Sequence, residues 1–262
     1  MDREAALAAF TEQVRRNAAA DDPGARVERY DRVVRVVNPD GWSGVVWSDL
    51  DAACADAAIG GEVALAAGLP HWEWKYYGYD RPADLPLRLA AAGLVAEPAE
   101  ALLVAEITDL ALDCTPPRGI RLLPVTDPAG VDLLVRVHEE VFGRDHTGFG
   151  RALRTRLAGA PDTLAAVVAM AGDRPVCAAR VEFHRGTDFA SLWGGGTVPQ
   201  WRGRGIFRAL VAYRAALAAG RGFRYLQVDA LPASRPILER LGFTRLTTTT
   251  PYVPARRSPA AG

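Results

Sequence analysis

Gln200-Trp201-Arg202-Gly203-Arg204-Gly205 is the stretch whose residue types and spacing point most directly to chemistry. Two glycines one residue apart let a backbone approach an anion closely. The run that follows, Ile206 to Ala219, carries Ile206, Leu210, Tyr213 and Leu217 at helical spacing, and a helix starting there aims its unpaired N–H groups and positive dipole end at the loop. The stretch reads as a phosphate cradle. It is neither a P-loop, which ends in Gly-Lys-Ser/Thr, nor the three-glycine dinucleotide signature.

Other reactive residues are weaker signals. His138-Glu139-Glu140 begins like the zinc helix H-E-x-x-H, but Phe142 stands where the second histidine belongs, so no metal site is expected. Cys54, Cys114 and Cys177 are far apart and odd in number, without C-x-x-C spacing, which argues against a disulfide framework or a zinc site. They read as small buried hydrophobes in a reducing cytoplasm. Cys177 lies in an apolar run that would raise its thiol pKa, against an acyl-cysteine. Gly194-Gly195-Gly196 would weaken an ordinary strand and suggest a bulge or the close approach of a ligand.

The elements around the loop alternate. A strand over Ile120 to Val125 is followed by a helix marked by Leu133, Leu134, Val137 and Val141, then a short helix over Ala152 to Leu157. Strands over Thr163 to Ala171 and Pro175 to Phe183 are joined at Gly172-Asp173-Arg174 as a hairpin. A third strand reaches Val198 and feeds the loop and its helix, which Gly220 and Gly222 stop. Tyr225 to Ala230 is a strand, Pro236 to Leu241 a short helix, and Phe243 to Val253 a terminal strand pair.

This order, with Q-x-x-G-x-G after Thr197-Val198-Pro199, resembles the GNAT acetyltransferase superfamily over residues 118 to 253. The resemblance implies the acyl-CoA N-acyltransferase fold, an α/β (α+β) arrangement with a mixed, mostly antiparallel sheet flanked by helices. It implies acetyl-CoA as acyl donor, with Gly196, Thr197 and Val198 pairing with the pantetheine arm. The amides of Trp201, Arg202, Gly203, Arg204, Gly205, Ile206 and Phe207 would hold the pyrophosphate. Arg202 and Arg204 either reach the phosphates or point to solvent. The function implied is direct acetyl transfer to a primary amine, of a small molecule or a peptide. The alternative is a non-catalytic acyl-CoA sensor or partner-binding module.

Proton transfer needs a base for the amine and an acid for the thiolate, and here the sequence departs from the family. Leu238 stands at the usual tyrosine, Leu231 at the usual asparagine, and Ser191 or Leu192 at the usual glutamate. Strand parity puts Glu182 on a polar face with Arg180 and His184, as a base or as a salt-bridged group. Asp229, at the end of its strand, is a second base candidate or a turn cap. Tyr252 is a candidate acid or a packing residue in an edge strand. Ser234 reads as a helix cap. His138 to Glu140, with Arg144, Asp145 and His146, form either an acidic acceptor wall or a solvated helix end.

The first half carries an echo. Asp80 and Asp229, Leu89 and Leu238, and Gly93 and Gly242 are each 149 residues apart. Residues 1–112 are therefore read as a degenerate GNAT-like half, against the alternative of a plain α/β scaffold. The Asp51 to Asp56 segment falls at the loop position, without glycine and with two carboxylates. Thr115-Pro116-Pro117 is the linker, 118–253 the catalytic half and 254–262 a flexible tail. A homodimer through the first half stays open.

The 262 residues suit two domains of about 110 to 150 residues each. With 31 basic and 31 acidic residues the formal charge is zero, which removes the basic field that nucleic acid or an anionic membrane needs. The longest apolar run, Leu164 to Ala171, is far short of the roughly 18 residues of a membrane span. With no export signal visible, a cytoplasmic protein is expected.

Overall fold

A computed structural model of the chain describes residues 1–30, 32–38, 42–69 and 71–255. Asp2 opens α1 (Arg3–Phe10) by accepting the amides of Glu4 and Ala5, and the helix widens into a π turn over Thr11–Arg16. There follow β1 (Arg26–Tyr30), β2 (Val33–Val37), β3 (Trp42–Ser48), α2 (Ala55–Ala66), β4 (His71–Tyr77), α3 (Leu85–Ala91), β5 (Leu94–Ala96) and β6 (Glu100–Glu106). The second half contains β7 (Ile120–Val125), α4 (Pro128–Phe142), α5 (Thr147–Gly159), β8 (Leu164–Ala171), β9 (Arg174–Phe183) and β10 (Phe189–Thr197). It ends with α6 (Ile206–Gly220), β11 (Tyr225–Ala230), α7 (Arg235–Arg240) and β12 (Thr244–Pro254).

Local chemistry sets the ends. Asp127 accepts the Gly130 amide at 2.7 Å and Pro128 takes the first turn of α4, which Gly143 closes at φ +65°. Gly172, at φ +58°, turns β8 into β9. Two expectations change. α5 is longer than Ala152 to Leu157, and Phe243 to Val253 is one strand, not a pair. A bulge between Arg245 and Thr247 keeps β12 continuous while its register shifts.

All strands join one sheet in the order β1-β2-β3-β4-β12-β6-β11-β10-β9-β8-β7, with β5 paired to β12. It is mostly antiparallel; β3 with β4 and β10 with β11 are parallel. The halves exchange their last strands. β6 lies against β11 (Leu226 opposite Ala105), whereas β12 lies between β4 and β6, with Tyr252 opposite Trp74 and Thr248 opposite Ala101. The segment after β6 then crosses to the far edge, where β7 begins. The tail expected from 254 starts with Pro254 still in β12, and residues 256–262 lie outside the described residues.

Each face is covered. On one, α6 and α7 bury Val211, Ala215 and Leu238 against Leu103, Val181 and Leu192, and α2 and α3 bury Ile59, Leu85 and Leu89 against Trp72 and Trp74. On the other, Phe10 of α1 sits on Tyr77, Phe189 and Tyr225, residues from both halves. Beside it, α4 and α5 cover β7 to β9 through Val131, Leu134, Val137 and Leu153. Each such large apolar side chain contributes about 1.5–3 kcal/mol on burial.

Candidate functional site

The loop after β10 turns at Pro199–Trp201 and reaches α6 through Gly203 (φ +72°) and Gly205 (φ +80°). Both angles favour glycine. Gly205 begins α6 and no side chain caps it. Among the described residues no group accepts the amides of residues 203 to 208, so this helix start is open to an anion. Arg202 and Arg204 stand exposed beside it. The first donates from Nε to the Thr197 carbonyl at 3.0 Å; the second lies 4.6 Å from the Trp201 ring. Ile206 is buried and Phe207 half-buried.

The corresponding segment of the first half is closed by its own carboxylate. Asp51 accepts the amides of Cys54 at 3.0 Å and Ala53 at 2.9 Å, and Arg32 donates to it at 2.6 Å. The Cys54 amide, with these partners, holds its carboxyl down to about 2. An arriving phosphate meets a negative charge there.

Next to the open loop the sheet parts. β10 and β11 pair only at Phe189 with Tyr225, Ala190 with Leu226 and Ser191 with Gln227, although β10 continues to Thr197 and β11 to Ala230. A bulge falls between Trp193 and Gly196, and Gly194 has φ +58°. The three glycines admit protein, not a ligand. A Cβ on Gly194 would lie 2.9 Å from the His138 ring, on Gly195 2.8 Å from Phe207, and on Gly196 2.8 Å from Val141. Val198 turns its amide to Val176 at 2.9 Å, and Gly196 pairs with Ala178, so both face β9. Thr197 Oγ1 meets Cys177 Sγ at 3.1 Å, and burial pushes that thiol up to about 11.

The groups expected to move protons are tied up in ion pairs or core packing. Glu182 sits between Arg180 Nε at 2.7 Å and Arg156 Nη1 at 3.1 Å. Burial alone would raise its carboxyl, but the two guanidiniums outweigh it and hold the pKa at about 2, making Glu182 a poor base at neutral pH. Asp229 is the partner of Lys75 at 3.2 Å, and accepts from Thr249 at 3.4 Å, instead of capping a turn. Tyr252 packs with Trp72, Trp74, Leu85 and Leu89 in the first-half core, two strands removed from the β10–β11 gap. Ser234 precedes α7 but caps no amide, donating to Leu231 O at 3.2 Å. Leu238 fills core space.

Other residues gather at the bulge and the last rung; sequence reading grouped His138 with His146, but not with Ser191, His184 or Arg214. His138 is buried, not solvated: it lies against Phe142, His146 and Phe149 and contacts the Gly194 carbonyl through Nε2 at 2.8 Å. A carbonyl only accepts, so Nε2 carries the proton. Burial lowers the pKa to about 4, keeping the ring neutral. At the last parallel rung, Ser191 Oγ receives the Gln227 amide and lies 2.5 Å from His184 Nε2, whose Nδ1 is 3.2 Å from Asp21. Beneath the bulge Arg214 is 1% exposed and donates to the carbonyls of Arg180 and Leu210. The sequence signal for Arg214 is a charge on the apolar stripe of α6, one residue after Tyr213.

Among the described residues no helix is long and apolar enough to cross a membrane, and no group of three His, Cys, Asp or Glu side chains could hold a metal ion. No protein-family model and no curated protein matches this sequence. Solved structures do. A GCN5-related N-acetyltransferase from Kribbella flavida superimposes with a TM-score of 0.67 at 16% identity, over 95% of this chain and 93% of that one. A GCN5-related N-acetyltransferase from Sphaerobacter thermophilus gives 0.58 at 16%, over 86% and 81%. A tandem GNAT protein from the clavulanic acid biosynthesis pathway gives 0.57 at 13%, over 88% and 83%. Together with the parted strands and the glycine-opened helix start, these likenesses show that the chain has the fold of the GCN5-related N-acetyltransferases, in a tandem arrangement.

Proposed function

We propose that the protein transfers an acetyl group from acetyl-CoA to a primary amine, using the site between β10 and β11. One observation carries the reading: the strands part beyond Ser191 and Gln227 beside the uncapped start of α6. An extended arm fits such a gap by pairing with a free strand edge, and the open amides suit a pyrophosphate. The donor residues are Gly196, Thr197, Val198 and Trp201 to Phe207, with Thr197 facing the gap and its neighbours shaping it. The acceptor is an amine of a small molecule or peptide, approaching from the α4 and α5 side.

A second reading is a module that holds acyl-CoA without turnover. The pairing of Glu182 and Asp229 and the remoteness of Tyr252 favour it, since none of the three is free to exchange a proton at the gap. Calorimetry with acetyl-CoA, on wild type and on the Gly203→Asp, Gly205→Asp double variant, tests the site. Binding abolished by the carboxylates supports it, and no binding by folded wild type sinks both readings. Acetylation of any amine in a panel excludes the second.

A further inference from the structure

A cavity of about 470 Å³ opens beside the start of α6, and the segment that joins the two halves forms one of its walls. Pockets that take small ligands span roughly 300–1,000 Å³. From α6 come Gly205, Arg208, Ala209 and Ala212, and the lining continues to Ala215, about 15 Å along the helix at 1.5 Å per residue. The linker contributes Asp113, Thr115, Pro116 and Pro117, and Leu110 and Leu241 add apolar surface. Gly205 is where the cavity meets the open helix start. A Cβ there would stand 3.7 Å from Pro117 Cγ and 3.9 Å from Arg208 Nη2, so an anion on the α6 amides has both the linker and a guanidinium beside it.

The charges of the cavity are unbalanced. Arg204 and Arg208 both line it, against the one carboxylate of Asp113. Arg208 is exposed, and among the described residues no hydrogen bond or ion pair holds it. Asp113 is already engaged, accepting the amide and hydroxyl of Thr115 at 2.9 and 2.6 Å. Those bonds first, and Arg208 after them, hold its carboxyl below the ordinary value. The positive wall left over suits a phosphate. Among the described residues the linker has no backbone hydrogen bond to α6: Leu110 donates to Ile107 O, and Pro117 O accepts from Ile120. Two prolines restrict its backbone and keep the wall where it stands. Resting on the acetyl-CoA reading above, we infer that the linker between the halves is part of the donor site, enclosing the adenosine 3′-phosphate end of the donor between Arg208 and the segment from Asp113 to Pro117. In that reading the pantetheine arm leaves the pyrophosphate for the β10–β11 gap. The cavity at Gly205 takes the opposite end, and the junction of the halves contributes to donor binding although the first half has no cradle of its own.

The test uses the full chain with isotope-labelled Leu and Thr methyls, saturated with unlabelled acetyl-CoA as established by calorimetry. Nuclear Overhauser contacts are expected from the adenine and ribose protons to the methyls of Leu110, Thr115 and Leu241. Arg208→Ala should weaken acetyl-CoA binding about tenfold to hundredfold, the loss of one charge-assisted hydrogen bond, and Arg208→Lys should recover part of it. Pro116→Gly and Pro117→Gly, by loosening the wall, should each weaken it about twofold to fivefold. Contacts from those methyls to the pantetheine protons instead, or no contact at saturation, overturn the inference whether or not the variants fold. Unchanged affinity in folded Arg208→Ala overturns it as well. Each of these results leaves the acetyl-CoA reading standing, because acetyl-CoA still binds. No binding by folded wild type removes both.

Discussion

Lys75 Nζ lies 3.2 Å from Asp229 Oδ2, so β4 of the first half and β11 of the second share an ion pair across the two strands between them. Glu100 takes the same ammonium at 2.8 Å. Lys75 and Asp229 are each about nine-tenths buried, where removing one partner strands the other's charge.

Lys75→Met should therefore cost about 3–5 kcal/mol of stability, whereas Asp229→Asn, which leaves Glu100 on the lysine, should cost about 1–3 kcal/mol. Urea unfolding measures both. Equal losses would show that Asp229, not the lysine, organises the cluster.

Stability should fall in mild acid because of His138. Its folded pKa, lowered to about 4 from the ordinary 6.5, means that the unfolded chain binds the proton first. The contribution is present above pH 6.5, is lost as pH falls towards 4, and amounts to about 3 kcal/mol. His138→Gln should flatten that part of the stability profile. A variant with the wild-type slope between pH 6.5 and 4 would assign the effect elsewhere.

Glycine substitutions should separate shape from charge. Gly203→Ala meets no atom within 4 Å and carries only the left-handed backbone, costing about 1 kcal/mol. Gly195→Ala drives a methyl to 2.8 Å from Phe207 and should cost about 1–3 kcal/mol, by overpacking. Thermal melts of the two variants order them, and the reverse order would refute this assignment.

Residues 118–262 should not fold alone. Without the first half, β12 loses both β4 and β6, and β11 loses β6. Circular dichroism of this fragment should show no cooperative melt, with native signal restored on mixing with residues 1–112. A stable fragment with a sharp transition would mean that β12 re-pairs with β11 in the absence of its partners.

Much of the second half was legible because its signals are local. The hairpin at Gly172, the strand ending near Thr197 and the helix after Gly205 each follow from a few neighbouring residues. The 149-residue spacing found Asp80 and Asp229, but not what each binds: Arg15 at 2.9 Å for one and Lys75 for the other. Parity correctly set Glu182 on a polar face, yet parity cannot say that two arginines reach it.

The sequence by itself determined the order of elements in the second half as far as its last strand, the glycine-led start of α6 and the absence of glycine at Asp51 to Asp56 in the first half. These rest on backbone freedom, helix dipoles and apolar periodicity, which act over a few residues. Only the tertiary structure decided the exchange of β6 and β12, the burial of His138 and Arg214, and the ion pairs that hold Glu182 and Asp229. Those depend on groups brought together from separate elements in a low-dielectric interior, where charge and hydrogen bonding are settled by neighbours the local sequence does not name.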